Sequence, residues 1–191
     1  TQPHLPSGWS VRPVAPHELP QLAEELNNYY QHYALTALHD AEKLERSLKP
    51  DPMTEPWRHY YLLVDEAGHW LAGLGVAAQY RLMEMHVQKL PAALRLLNKV
   101  VRFVPADGRL RQLGVSRVWH RAGQERAAQI LWEMIRWQWR DEATALTISY
   151  DKRDSLGKLL KLPFWLPKGA LQLVVRGSEG LKAGQLIYPN F

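Results

Sequence analysis

The 191-residue sequence has no cysteine. That absence excludes disulfides, thiolate metal ligands and a cysteine nucleophile, and it is compatible with a cytosolic protein, so a cytoplasmic location is expected. Long apolar runs are missing too. Arg, Lys or Pro interrupts each one short of the roughly 18–20 residues that a membrane span needs. The N-terminal stretch TQPHLPSGW lacks the basic-then-apolar layout of a signal peptide. It begins without Met, which reads as a trimmed or fused product and leaves a removed leader open. There is no Walker loop, since the one Gly-Lys pair, Gly157-Lys158, falls inside a helical pattern. Neither Ser116 nor Ser155 sits in a G-x-S-x-G nucleophile elbow. The eight histidines are scattered without metal-ligand spacing, so no metal is expected. No internal repeat, low-complexity tract or linker divides the chain, and residues 1–191 are read as one domain.

The residues that are present describe a globular chain. Hydrophobic residues make up 46% and charged residues 23%, enough of each to bury a core and stay solvated. The formal charge of +5 points to an anionic partner. A phosphorylated small molecule, nucleic acid and an anionic membrane all satisfy it. The basic stripe Arg95, Lys99, Arg102 and the segment KLLKLPFWLPKG keep a membrane-surface or nucleic-acid face open as an alternative.

Periodicity gives the elements. A strand is predicted over Trp9–Val14 and a helix over Glu18–Tyr33, where Leu19, Leu22 and Leu26 recur at helical spacing. A second helix, LHDAEKLERSL, is capped by His39 or Asp40 and stopped by Pro50 and Pro52. Strands Tyr60–Val64 and Trp70–Gln79 flank a turn at Asp65–Gly68 and form a hairpin. Then come a helix over Pro91–Phe103, a strand over Leu110–Trp119, a long helix over Gln124–Arg140, a strand in ATALTISYD and a short basic helix in DSLGKLLKL. Strands in GALQLVVRG and QLIYPNF close the chain. This order predicts a mixed sheet packed by helices, of α/β or α+β class.

The stretch VWHRAGQERAAQILWEMI, Val118 to Ile135, holds one glycine among bases and runs into an amphipathic pattern. Taken alone it reads as a plain strand–helix junction. At a helix N-terminus, however, orphan N–H groups and the helix dipole make an anion site, and a glycine lets the backbone come close to a phosphate. In the strand–helix–strand–helix–strand series, preceded by a helical pair and a hairpin, the chain resembles the GNAT superfamily of acyl-CoA-dependent N-acyltransferases from about Trp9 to Phe191. In that family the fourth strand carries V-x-P-x-x-[QR]-x-x-G-x-[GA]. Here VSRVWHRAGQE, Val115 to Glu125, lines up with His120 on the Gln/Arg position, Gly123 on the first glycine and Glu125 on the second small position.

The resemblance implies a central mixed, mostly antiparallel sheet flanked by helices, with a helical insertion between strands three and four. It implies acetyl-CoA or another acyl-CoA as co-substrate and an amine as acceptor. The pyrophosphate falls to His120, Arg121, Ala122, Gly123, Gln124 and Arg126, mainly through main chain. The fourth and fifth strands part to admit the pantetheine arm, with backbone groups of Leu113–Arg117, among them Val115 and Arg117, on one side and Ile148–Tyr150 on the other. Many members use a tyrosine near the helix after the fifth strand as general acid. KRDSLGKLLKLPFW has none, so Tyr150 at the strand end is the candidate. An ammonium cannot attack a thioester, so a base is needed, and Glu84, with His86 behind it, is the nearest acid. The acceptor pocket would be built from the first two helices and the Met83–Val104 insertion, with Tyr29, Tyr30, Tyr33 and Trp57 as aromatic candidates. Three further possibilities stay open: a catalytically silent acyl-CoA-binding or interaction module, half of a larger protein, and a homodimer.

Overall fold

The computed structural model describes residues 2–50, 54–101, 104–162, 182 and 184–188. β1 (Ser10–Pro13) leads through a single 3-10 turn, Pro16–Glu18, into α1 (Leu19–Tyr30). Glu18 fixes that entry. Its carboxylate accepts the Ala15 N–H at 2.8 Å and two guanidinium N–H groups of Arg12 at 2.6 Å each. Leu19, Leu22, Ala23, Leu26 and Tyr30 form one face of α1, and all five are buried. After the short β2 (Tyr33–Ala34) comes α2 (Ala41–Leu48). Its cap is Asp40, whose carboxylate accepts the Lys43 N–H at 2.7 Å, and not the neighbouring His39.

The predicted hairpin forms from β3 (Arg58–Val64) and β4 (Trp70–Ala77). An insertion follows, made of β5 (Met85–His86), α3 (Ala92–Val101) and β6 (Arg109–Leu110). The chain then returns as β7 (Gln112–His120), α4 (Glu125–Gln138), β8 (Ala145–Ile148), α5 (Leu156–Leu159) and β9 (Leu186–Ile187). The strand expected over Leu110–Trp119 is thus two strands. Arg111 breaks it: its N–H donates to Thr144 Oγ1 at 2.9 Å, and its carbonyl accepts the Thr144 N–H at 2.9 Å. β6 therefore pairs with β5, while β7 enters the main sheet. The strand expected in GALQLVVRG lies outside the described residues, as do Phe164, Trp165 and Arg102 of the basic segments.

The main sheet has the order β1-β3-β4-β7-β8, antiparallel throughout except for the parallel β7–β8 pair. The fold is the mixed, mostly antiparallel sheet expected, with the insertion between its third and fourth strands. Both faces are covered, and β3 shows how: Tyr61 and Leu63 pack with α4, while Tyr60, Leu62 and Val64 pack with α1 and α2. Among the described residues no helix is long and apolar enough to cross a membrane.

β9 runs parallel to β2 and is held by Asp151, just after β8. The Asp151 carboxylate accepts the Ile187 N–H at 3.1 Å and the Arg153 Nε–H at 3.0 Å, and Arg153 also donates to the Gln185 carbonyl at 2.8 Å. These donors, Arg153 first, hold the carboxyl well below its ordinary value of 3.8. A depressed carboxyl stabilises the fold above its unfolded pKa, and that contribution disappears as pH falls through its folded value. Asp151→Asn is expected to cost about 2 kcal/mol at pH 7, a loss of about 4–8 °C in Tm. The gap between variant and parent should close progressively below pH 3.8. Thermal melts from pH 7 to pH 2 check this, and a gap that does not narrow in acid contradicts it.

Candidate functional site

β7 carries the site. Its first residues pair with β8 from Gln112↔Ala145 to Val115↔Ile148. There β8 ends, while β7 continues to His120 beside β4 alone. The two strands therefore part after Val115 and Ile148. A bulge lies at the same place: the register with β4 shifts between Gly73↔Trp119 and Gly75↔Ser116, and Arg117 takes a φ of +51°. Such a left-handed conformation costs a non-glycine residue about 1–3 kcal/mol. The inserted residue lets Val115 and Val118 both reach the α4-side core and turns Trp119 into the opposite one.

Tyrosines cap the parted edge. Tyr60 Oη–H donates to the Arg117 carbonyl at 2.8 Å, and Tyr30 Oη–H donates to the Val118 carbonyl at 2.6 Å. Ser116, Arg117 and Val118 line one side of the cleft, and Ile148, Ser149 and Tyr150 the other; Tyr30, Tyr33, Asp154 and Tyr188 also border it. The cavity is about 20 Å³, room for about one water. Tyr33 Oη–H donates to Asp154 Oδ2 at 2.8 Å. Burial and then this bond push the Tyr33 hydroxyl far above its ordinary range. Burial, followed by the Asp154 and Glu125 charges, pushes Tyr29 up to about 12. At neutral pH these phenols are donors, not bases. Tyr150 lays its hydroxyl against the backbone of α5, where a Cβ added at Gly157 would stand 2.7 Å from Tyr150 Oη.

Beyond His120 the chain turns into α4. The Arg121 N–H donates to the Leu71 carbonyl at 3.0 Å and the Gln124 N–H to the Arg121 carbonyl at 2.9 Å. Gly123 adopts a φ of +75°, and a side chain there would meet nothing within 4 Å. The N–H groups of Ala122, Gly123, Glu125 and Arg126 donate no backbone hydrogen bond among the described residues, and all four residues are exposed. Free amides at the positive end of a helix make an anion-binding turn.

No protein-family model matches the chain, and neither does any curated protein. Solved structures do match it. An aminoglycoside 6'-N-acetyltransferase from Acinetobacter baumannii superposes with a TM-score of 0.52 at 11% identity, over 88% of this chain and 100% of that one. A GCN5-related N-acetyltransferase from Ralstonia eutropha gives 0.51 at 13% identity, over 88% and 99%. A predicted acetyltransferase from Clostridium acetobutylicum, solved with acetyl-CoA, gives 0.51 at 11% identity, over 90% and 97%. The chain has the GCN5-related N-acetyltransferase fold.

Within that GNAT fold the residues expected to form the site do not all come together. His120, Arg121, Ala122, Gly123, Gln124 and Arg126 are contiguous around the turn. The His120 ring packs edge-on to Tyr29 with centroids 5.5 Å apart, and Arg121 pairs with Glu25 of α1 at 3.3 Å. Arg126 contacts Gln129 at 3.3 Å and has no carboxylate partner among the described residues. Val115 is on the last paired rung with its side chain in the core, so the open edge of β7 begins at Ser116. Glu84 is in the insertion, exposed, and pairs with His86 Nε2 at 3.0 Å and Arg109 Nε at 3.3 Å. It is not among the residues lining the cleft. Trp57 packs in the α4-side core, across the sheet from Tyr30. Exposed Arg95 and Lys99 remain on α3.

The carboxylate that does line the cleft is Asp154, which the sequence did not single out. Its Oδ1 accepts the Leu156 N–H at 2.9 Å, so it is fixed by the turn into α5. A D-S pair before a short helix was the available signal, and it marks a helix entry without showing that the second oxygen faces the cleft.

Proposed function

We propose that the chain is an acyl-CoA-dependent N-acyltransferase, acetyl-CoA being the acyl donor of first choice, and that it acts by direct attack of an amine on the thioester. One observation carries this reading: β7 and β8 part, and β7 then runs straight into an amide-lined turn at the head of α4. A pantetheine arm needs the first feature and a pyrophosphate the second. In this reading the main chain from Ala122 to Arg126, with His120 and the Arg126 side chain nearby, takes the pyrophosphate. The open edge of β7 that begins at Ser116 and Arg117, just beyond Val115, takes the arm.

The chemistry is a two-electron exchange without a covalent enzyme intermediate. The nitrogen lone pair of the neutral amine becomes the new C–N bond, the C–S bond breaks, and the sulfur leaves with the C–S bonding pair. Tyr150 gives its phenolic proton to the thiolate. Asp154 is the base that takes the proton from the nitrogen, because it lines the cleft and Glu84 does not. Proximity and backbone donors supply much of the rate in such a transfer. A cavity of about 20 Å³ is too small for the arm, so entry requires the Tyr33–Asp154 bond to open.

The Glu125 carboxylate in the first turn of α4, where a second small residue is expected, favours a second reading: a binding or interaction module without transfer. Calorimetric titration with acetyl-CoA, followed by free-thiol release on adding a panel of amines, separates the two. The enzyme reading expects both binding and release. Binding without release establishes the module, and absence of binding overturns both.

A further inference from the structure

Arg117 differs from the paired arginines of the described residues. Arg12, Arg46, Arg81, Arg109, Arg121, Arg140 and Arg153 each have a carboxylate within 4.0 Å. Arg117 has none among the described residues, and its Nε is buried without a hydrogen-bond partner. Its guanidinium hydrogen-bonds the Tyr188 hydroxyl on the α1–α2 side of the sheet, a neutral partner. Its other close neighbours offer no negative charge. Arg58 carries the same sign, and the Arg117 charge depresses it further. Tyr60 is neutral, and His39 is pushed down to about 4 by burial and then by Arg117, so it too is uncharged at neutral pH. His39 Nε2 is likewise buried and unpaired. A half-buried cation without a carboxylate partner among the described residues, on a residue already held at a φ of +51°, is unfavourable in the free protein. Such unfavourable arrangements persist at ligand sites, where a bound partner compensates them.

Arg117 also lines the same cleft as Asp154. The cleft is therefore bordered by one cation without a carboxylate partner among the described residues and by one carboxylate. We propose that Arg117 is the specificity-determining anchor of the acceptor, binding a carboxylate on the same small molecule whose amino group meets Asp154. The acceptor class is then an amine that also carries a carboxylate, such as a free amino acid. This deepens the N-acyltransferase reading and rests on it for the identity of the ligand as acceptor.

Matched probes test it: phenylalanine against phenethylamine, and lysine against cadaverine, with phosphoethanolamine as a phosphate-bearing amine. Two readouts are taken, the thermal shift of the protein without coenzyme and thiol release from acetyl-CoA. The parent protein should show a thermal shift with the amino acids and not with their decarboxylated partners. It should also prefer the amino acids at least tenfold in kcat/KM. Arg117→Gln keeps the backbone geometry and removes the charge; it should lose the thermal shift and bring the preference within twofold. Arg117→Lys, a second variant in case the first fails to fold, should retain the charge and part of the preference but not the two-pronged geometry of the guanidinium. Equal use of an amine and its amino acid by the parent overturns the proposal. So does a preference that survives in Arg117→Gln, or a stronger response to phosphoethanolamine. A carboxylate-dependent, Arg117-dependent thermal shift without acetyl-CoA binding leaves the anchor standing while the acyltransferase reading fails.

Discussion

Gly123→Asp is expected to weaken coenzyme A binding at least 100-fold while the protein still folds. The glycine sits at a φ of +75° with nothing within 4 Å of an added Cβ. Asp is among the residues that tolerate this region best, so the conformational cost is about 1 kcal/mol and Tm should fall by about 2–4 °C. The new carboxylate would face the ground where the proposed pyrophosphate lies. A hundredfold loss corresponds to about 2.7 kcal/mol, within the several kcal/mol of a like-charge juxtaposition. Gly123→Ala shares the backbone penalty without the charge and should stay within about tenfold of the parent. Calorimetry on the three proteins checks this, and equal affinity in Gly123→Asp would show that the turn does not hold the phosphates.

The largest expected effect on stability comes from Gly73→Ala. A Cβ at Gly73 would land against Trp119 Nε1 and stand 3.0 Å from both Trp119 Cε2 and Tyr60 Cε1. Neither ring has room to yield: Trp119 is 1% exposed, Tyr60 is 2% exposed, and the Tyr60 hydroxyl is tied to the Arg117 carbonyl. Overpacking of this kind costs about 1–3 kcal/mol, and two fixed rings place this case at about 3, a fall of about 6–12 °C in Tm. Gly75→Ala, whose nearest neighbours stand at 3.3 Å, should cost clearly less. Calorimetric melts decide it, and a Tm unchanged in Gly73→Ala would mean that the bulge can absorb the methyl group.

The two glycines illustrate what was legible beforehand. Gly123 was readable because its role is local: a strand, a glycine and an amphipathic helix follow one another within the quoted stretch. Gly73 was not, because its constraint is Trp119, which comes from a strand more than forty positions away. The same distinction separates the elements. Helical and alternating periodicity located α1, α2, the β3–β4 hairpin, α4 and β8, since each buries a face set by its own residues. It joined β6 to β7, because Arg111 breaks the strand through Thr144, which only the fold brings near.

The site follows the same rule. The turn from His120 to Arg126 is continuous in sequence and was visible there. The cleft is assembled from β7, the end of β8, α1, β2, the turn into α5 and the residue after β9, so Asp154 and Tyr188 carried no signal that joined them to Tyr30 and Tyr33. Glu84 was chosen for its closeness to the third strand in sequence, and the structure gives it His86 and Arg109 as partners. Arg117 was named for its backbone. That its Nε is buried without a hydrogen-bond partner depends on the bulge and on neighbours that only the fold brings near.

The most direct test of the central claim is a crystal structure of the protein with coenzyme A. The account predicts the pyrophosphate on the main-chain N–H groups between Ala122 and Arg126. It also predicts the pantetheine arm between the parted ends of β7 and β8, with the Tyr33–Asp154 hydrogen bond broken. Coenzyme A bound elsewhere, with the Gly123 turn empty and the strands closed, would contradict it.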